Sequence, residues 1–150
     1  MFIRILYFAF RIYCFFFRPI RTGVRVMILR EDQVLLVRQT YVPGWFMPGG
    51  GLKRGETMEQ AVRREAKEET GAELADIQLM GVYTSFKEWK TDHNILFVCR
   101  KFTFNGKHDS EIAEVRFFHL NDLPDGLWPG HRRRLEEVRA HKEYPQFGEW

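Results

Sequence analysis

No acidic residue occurs before Glu31 in this chain of 150 residues, and only two cysteines, Cys14 and Cys99, occur in all of it. Two thiols so far apart form neither a metal-type spacing nor a disulfide framework, which implies a reducing compartment and packing roles for both. No small-residue cleavage site follows the apolar start, which argues against a secretory signal. No linker, internal repeat or low-complexity tract divides the sequence. Nor is there a nucleic-acid-binding charge profile: the formal +3 includes five arginines in the first 25 residues, leaving −2 for the remainder. No nucleic acid is therefore expected as a partner. The "HRRR" run at 131–134 reads as a solvated helix face.

What the chain does have is apolar mass. A hydrophobic content of 45%, with 15% aromatic residues, is ample for one core in a chain of this length. Strands are expected over residues 24–29 and 34–38, joined by a tight turn at Glu31-Asp32, then over 80–86, 95–104 and 115–120, with a turn at Asn105-Gly106. A last helix is expected over 130–142, after breaks at Pro124 and Pro129. Strands on both sides of a central helix, with a second helix at the end, imply an α/β or α+β arrangement covered on both faces.

The central helix carries the chemistry. Residues 57–70 lack glycine and proline and are rich in helix formers, with Gly55 before them and Gly71 after. Stepping about 100° per residue with Met58 at the middle of one face brings Ala61, Val62 and Ala66 near it. Glu65 and Glu69 fall among these apolar residues and Glu68 lies at their edge. Three anions at a partly buried seam stay ionised only beside a cation, and a hard divalent ion with oxygen ligands meets that need. The preceding "PGWFMPGGG" has glycines that let backbone approach a ligand or another strand closely.

Gly50, Glu56, Arg64-Glu65, Glu68-Glu69 and Gly71, at these spacings, resemble the complete signature of the Nudix hydrolases. Ala66 and Ala72 stand where that pattern asks for an aliphatic residue, often a larger one. The resemblance extends from about residue 24 to residue 141. It implies an α/β/α sandwich with a mixed central sheet, and hydrolysis of a nucleoside diphosphate linked to another group with Mg²⁺ or Mn²⁺. It also implies metal ligation by Glu65, Glu68, Glu69 and the Gly50 carbonyl. Glu56 and Arg64 would orient those ligands. Of two downstream glutamates, Glu111 and Glu114, Glu114 is favoured as an extra ligand in the catalytic set, with one of the helix glutamates as base. Arg38 and Trp45 are the substrate-binding candidates, with Tyr41, Phe86 and Trp89 as further aromatics able to stack on a base. The leaving group is left open.

Residues 1–20, "MFIRILYFAFRIYCFFFRPI", stand apart from the domain expected over 21–150. Arginines recur every seven residues, so on a helix ending near Arg18-Pro19 they form one narrow stripe on an otherwise apolar surface. Such a helix is about 25 Å long, slightly short for a membrane span, and its charges argue against one. Three readings stay open: a membrane-interface anchor, a helix packed on the domain or on a second subunit in a homodimer, and a start assigned too early. The expected location is cytoplasmic, with membrane association through this segment. The leading functional reading is a divalent-metal-dependent pyrophosphohydrolase; its rival is a nucleotide-binding regulator of the same fold that does not turn over.

Overall fold

The computed structural model describes residues 2–150, with side chains from Ile5 onward; Met1 and the Arg4 side chain of the arginine stripe lie outside the described part. Helix α1 (Phe2–Phe17) is followed by β1 (Ile20–Arg30) and β2 (Gln33–Gln39), a glycine-rich loop, and helix α2 (Met58–Thr70). Then come β3 (Ala72–Ser85), β4 (Thr91–Phe104), β5 (Ile112–His119), helix α3 (Pro129–Arg139) and β6 (Gln146–Glu149). The strands form one mixed sheet in the order β5-β2-β1-β4-β3-β6, with β1 parallel to β4, β3 parallel to β6, and the other pairs antiparallel.

Strand alternation divides the core into two layers. Val24, Val26 and Ile28 of β1 pack with Ala61, Val62 and Ala66 of α2 on one face. Met27 and Leu29 pack with Leu135 and Val138 of α3 on the other. With a helix on each face, the architecture is the α/β/α sandwich with a mixed sheet that the sequence implied. Each fully buried aliphatic side chain contributes about 1.5–3 kcal/mol to holding these layers.

Helix α2 begins and ends as its sequence dictates. The Thr57 hydroxyl accepts the Gln60 N–H at 3.2 Å, and the Gln60 side chain accepts the Thr57 N–H at 2.9 Å, a reciprocal cap. Gly71 ends the helix in the left-handed conformation at φ 69°. Its buried side consists of Ala61, Val62, Ala66, Glu69 and Thr70, whereas Met58, expected at the centre of that face, is exposed. Met58 occupies the first turn, where the helix has not yet reached the sheet's apolar covering.

β1, β4 and β5 begin three or four residues earlier than alternation indicated, and β3 and β6 depart from it furthest. The first half of β3 was missed because register shifts near Leu74, Asp76 and Ile77 interrupt the period-two pattern. The edge strand β6 is only four residues long and carries almost no pattern of its own.

Candidate active site

The glycine loop comes first, because it forms the wall against which the α2 carboxylates stand. Residues 48–51 run beside β1: Val26 N–H donates to the Pro48 carbonyl and Val24 N–H to the Gly50 carbonyl, each at 2.9 Å. The approach is too close for side chains. A Cβ on Gly49, whose φ is 142°, would lie 2.1 Å from the Val24 carbonyl oxygen, and one on Gly50 would lie 2.6 Å from a Glu65 carboxylate oxygen.

Behind this loop the acidic side chains have different partners. Glu69 is buried and accepts the Gly49 N–H at 2.8 Å. Desolvation pushes its carboxyl up to about 7, with Arg25 and the Gly49 hydrogen bond pulling the other way and Glu65 adding repulsion. Arg64 holds Glu65 at 2.6 Å and is itself held by both oxygens of Glu56, at 2.7 and 2.9 Å. The Arg64 hydrogen bond, followed by that from the Lys53 N–H, lowers the Glu56 carboxyl to about 2. Glu56 and Arg64 therefore form a brace that fixes the direction of Glu65.

Glu68 turns outward to Arg64, at 3.1 Å, and is half exposed. Among the described residues, no group of three or more acidic, histidine or cysteine side chains is gathered closely enough to ligate an ion as it stands. Even so, Glu65, Glu69 and Glu111 line one cavity of about 440 Å³. Burial, then repulsion from Asp109, Glu65 and Glu68, raises the Glu111 carboxyl. Oxygen donors crowded into mutual repulsion suit a hard divalent cation, so the donor set fits one. The Gly50 carbonyl, already accepting from Val24, retains a second lone pair.

Glu111 is positioned by the loop after β4. Asp109 N–H donates to the Glu68 carbonyl at 2.9 Å, which pins this loop to the end of α2. Glu111 N–H donates to the Asp109 carboxylate and Thr40 N–H to the Glu111 carbonyl, both at 2.9 Å. Glu114 is elsewhere. Its neighbours Val115 and Phe117 pack toward the α2 layer, so strand alternation turns Glu114 to the opposite face. There it pairs with Arg38 at 2.7 Å. Trp45 lies on that face too, packed edge-on to Phe118 at 4.7 Å, with the Arg38 and Arg116 guanidiniums over its ring. Glu114, Arg38 and Trp45 thus form a cluster separate from the cavity, and they do not line it.

Several cavity residues were not singled out from sequence. Arg25 donates to the Met47 carbonyl at 3.3 Å and also to the Gly49 carbonyl, placing a cation behind Glu69. A single charge inside the apolar run of β1 was the signal available for it. Tyr41, one of the suggested stacking aromatics, does line the cavity, and burial together with Glu111 and Glu69 raises its hydroxyl to about 12. Tyr7 and Phe10 reach the cavity from α1, and only the tertiary fold brings them there.

A family model described as NUDIX domain matches residues 19–138. Over 103 residues the chain is 37% identical to an ADP-ribose pyrophosphatase of Methanocaldococcus jannaschii, a match covering 65% of this chain and 61% of that protein. Over 104 residues it is 32% identical to the NAD-capped RNA hydrolase NudC of Pseudomonas aeruginosa, covering 66% of this chain and 36% of that protein. The chain therefore spans less than two thirds of the length of either relative. The crystal structure of a MutT NUDIX hydrolase from Burkholderia pseudomallei superposes with a TM-score of 0.73 at 27% identity, covering 79% of this chain and 98% of that one.

Proposed function

Because this chain belongs to the NUDIX domain family, we propose that it hydrolyses a phosphoanhydride bond in a nucleoside diphosphate linked to another group, using Mg²⁺ or Mn²⁺. The observation that carries this reading is the shared cavity of Glu65, Glu69 and Glu111, with Glu65 braced through Arg64 by Glu56.

Glu65 and Glu69 would hold the ion, joined by Glu68 if it releases Arg64 and by the free lone pair of the Gly50 carbonyl. When bound, such an ion supplies charge neutralisation on the phosphate oxygens. The remaining work belongs to the chain. Arg25 steadies both the glycine loop and the charge of Glu69. Arg21 and Lys87 line the same cavity and offer cationic contacts to phosphate. Glu111, its carboxyl raised by burial and by the neighbouring Asp109, Glu65 and Glu68, acts as general base. The attacking water gives its proton to Glu111 as its oxygen bonds to phosphorus; the P–O–P bond breaks and the leaving phosphate departs with the electron pair. Tyr41 flanks the substrate on one side, and Tyr7 and Phe10 on another.

The test is phosphate or pyrophosphate release from nucleoside triphosphates, nucleotide sugars, ADP-ribose and dinucleoside polyphosphates, with and without Mg²⁺ or Mn²⁺, beside Glu69→Gln. Metal-dependent release that disappears in the variant supports the hydrolase and identifies its leaving group. A folded protein that binds nucleotide without turnover would replace it with the regulator.

A further inference from the structure

Helix α1 lies outside the span matched by the family model, yet it presents two working faces. Tyr7, Phe10 and Cys14, spaced three and four apart, face the domain. The Tyr7 hydroxyl donates to Glu88 at 2.8 Å, Cys14 is fully buried, and Tyr7 and Phe10 wall the catalytic cavity. The other face has no partner among the described residues of the domain. Ile5, Leu6, Phe8, Ile12, Phe16 and Phe17 are all exposed, Phe8 at 65% and Phe16 at 71%, and among the described side chains no charge lies between them.

This apolar surface does not end with the helix. The turn between β3 and β4 carries Phe86, 66% exposed, and Trp89, whose ring meets Phe15 edge-on at 5.3 Å. Between helix and turn runs a groove of about 520 Å³ lined by Arg11, Arg18, Lys90, Phe86 and Trp89. Glu88 also lines it, but its carboxylate is occupied by Tyr7 and by Lys90 at 3.2 Å. Two elements distant in sequence therefore share one apolar surface, and exposed Arg11 and Arg18 border the groove between them.

We propose that this composite face docks the protein on an anionic phospholipid membrane, with α1 lying in the plane of the interface. Three observations select that occupant. The helix has 16 residues, about 24 Å, and none among the described residues is long and apolar enough to cross a bilayer. Arg11 and Arg18 are exposed and border a groove sized for a headgroup, so they complement lipid phosphates, whereas Lys90 in the groove is paired with Glu88 and Asp92. A second copy of the chain would instead bring the same two arginines to the shared interface with no free acid to meet them among the residues lining the groove. Because the opposite side of α1 walls the cavity, docking also sets the cavity beside the bilayer.

Vesicle co-sedimentation of the full chain tests this without reference to turnover. Vesicles of phosphatidylcholine with 30% phosphatidylglycerol, by our design, are expected to bind the protein at least about tenfold more tightly than phosphatidylcholine alone. The double variant Phe8→Ser/Phe16→Ser should weaken binding by about tenfold or more, and Arg11→Gln/Arg18→Gln by a similar factor. Phe86→Ser/Trp89→Ser, outside the helix, should weaken it as well, so the test survives if a helix variant misfolds. Phe147→Ser, an exposed aromatic on β6, should leave it unchanged. Equal binding to both vesicle types, or no binding, would overturn the proposal. So would light scattering that finds a dimer which Phe8→Ser/Phe16→Ser converts to a monomer.

Discussion

The backbone N–H of Gly49 donates to the Glu69 carboxylate at 2.8 Å, so the glycine loop and helix α2 meet at a buried, ionisable side chain. The same carboxylate closes the fold locally and faces the cavity.

Replacing Glu69 separates these roles. In Glu69→Gln the amide oxygen still accepts from Gly49, so the fold is kept, while turnover should fall by more than the ten- to hundredfold typical of a supporting contact. Its stability should change in a definite direction. A carboxyl raised from 4.5 to about 7 favours the folded state only while protonated, and that contribution is lost as pH rises between those values. Without divalent ions, Glu69→Gln should therefore melt higher than wild type at pH 8 and close to it at pH 4.5. Added Mg²⁺ should raise the wild-type melting temperature at pH 8 and leave the variant nearly unmoved, as thermal melts would show.

Gly49→Ala should be among the most damaging single-methyl changes in the chain. The added carbon meets the Val24 carbonyl at 2.1 Å in a backbone conformation that favours glycine, so loop and β1 must separate. A loss of about 2 kcal/mol or more is expected in urea unfolding, together with lower activity. An unchanged midpoint would show that the loop relaxes freely.

Two glutamates three residues apart should behave unlike each other. Glu111→Gln removes the cavity carboxylate and should lower kcat by about a hundredfold, within the range of a lost general base. Glu114→Gln breaks an exposed pair with Arg38 and should cost less than about 1 kcal/mol while changing kcat no more than about twofold. Steady-state kinetics of the two variants on one substrate decide it.

Acid should loosen the Glu56–Arg64 brace within a defined window. The folded-state carboxyl is lowered to about 2 from an ordinary 4.5, so its contribution is complete above 4.5 and lost as pH falls toward 2. Glu56→Gln should flatten the pH dependence of unfolding in that window. At neutral pH it should also lower activity by about ten- to hundredfold, because Arg64 then holds Glu65 less firmly.

The sequence by itself determined helix α2 and most of the sheet. Caps at Thr57 and Gly71, glycines at 49 and 50, and carboxylates at 65 and 69 are local features whose meaning follows from spacing alone. Tertiary structure decided which distant groups join them. Glu111 and Glu114 are chemically alike, and only the packing of Val115 and Phe117 toward α2, with the anchoring of Asp109 on Glu68, turns one toward the cavity and the other away. Trp45 reads as a stacking aromatic but becomes core, because Phe118 and two guanidiniums enclose it. Arg25, Tyr7 and Phe10 enter the cavity from two other elements that no periodicity links to the glutamates. Spacing fixes a side chain's direction within its own helix or strand, whereas a cavity wall is assembled from several elements whose relative placement depends on long-range packing.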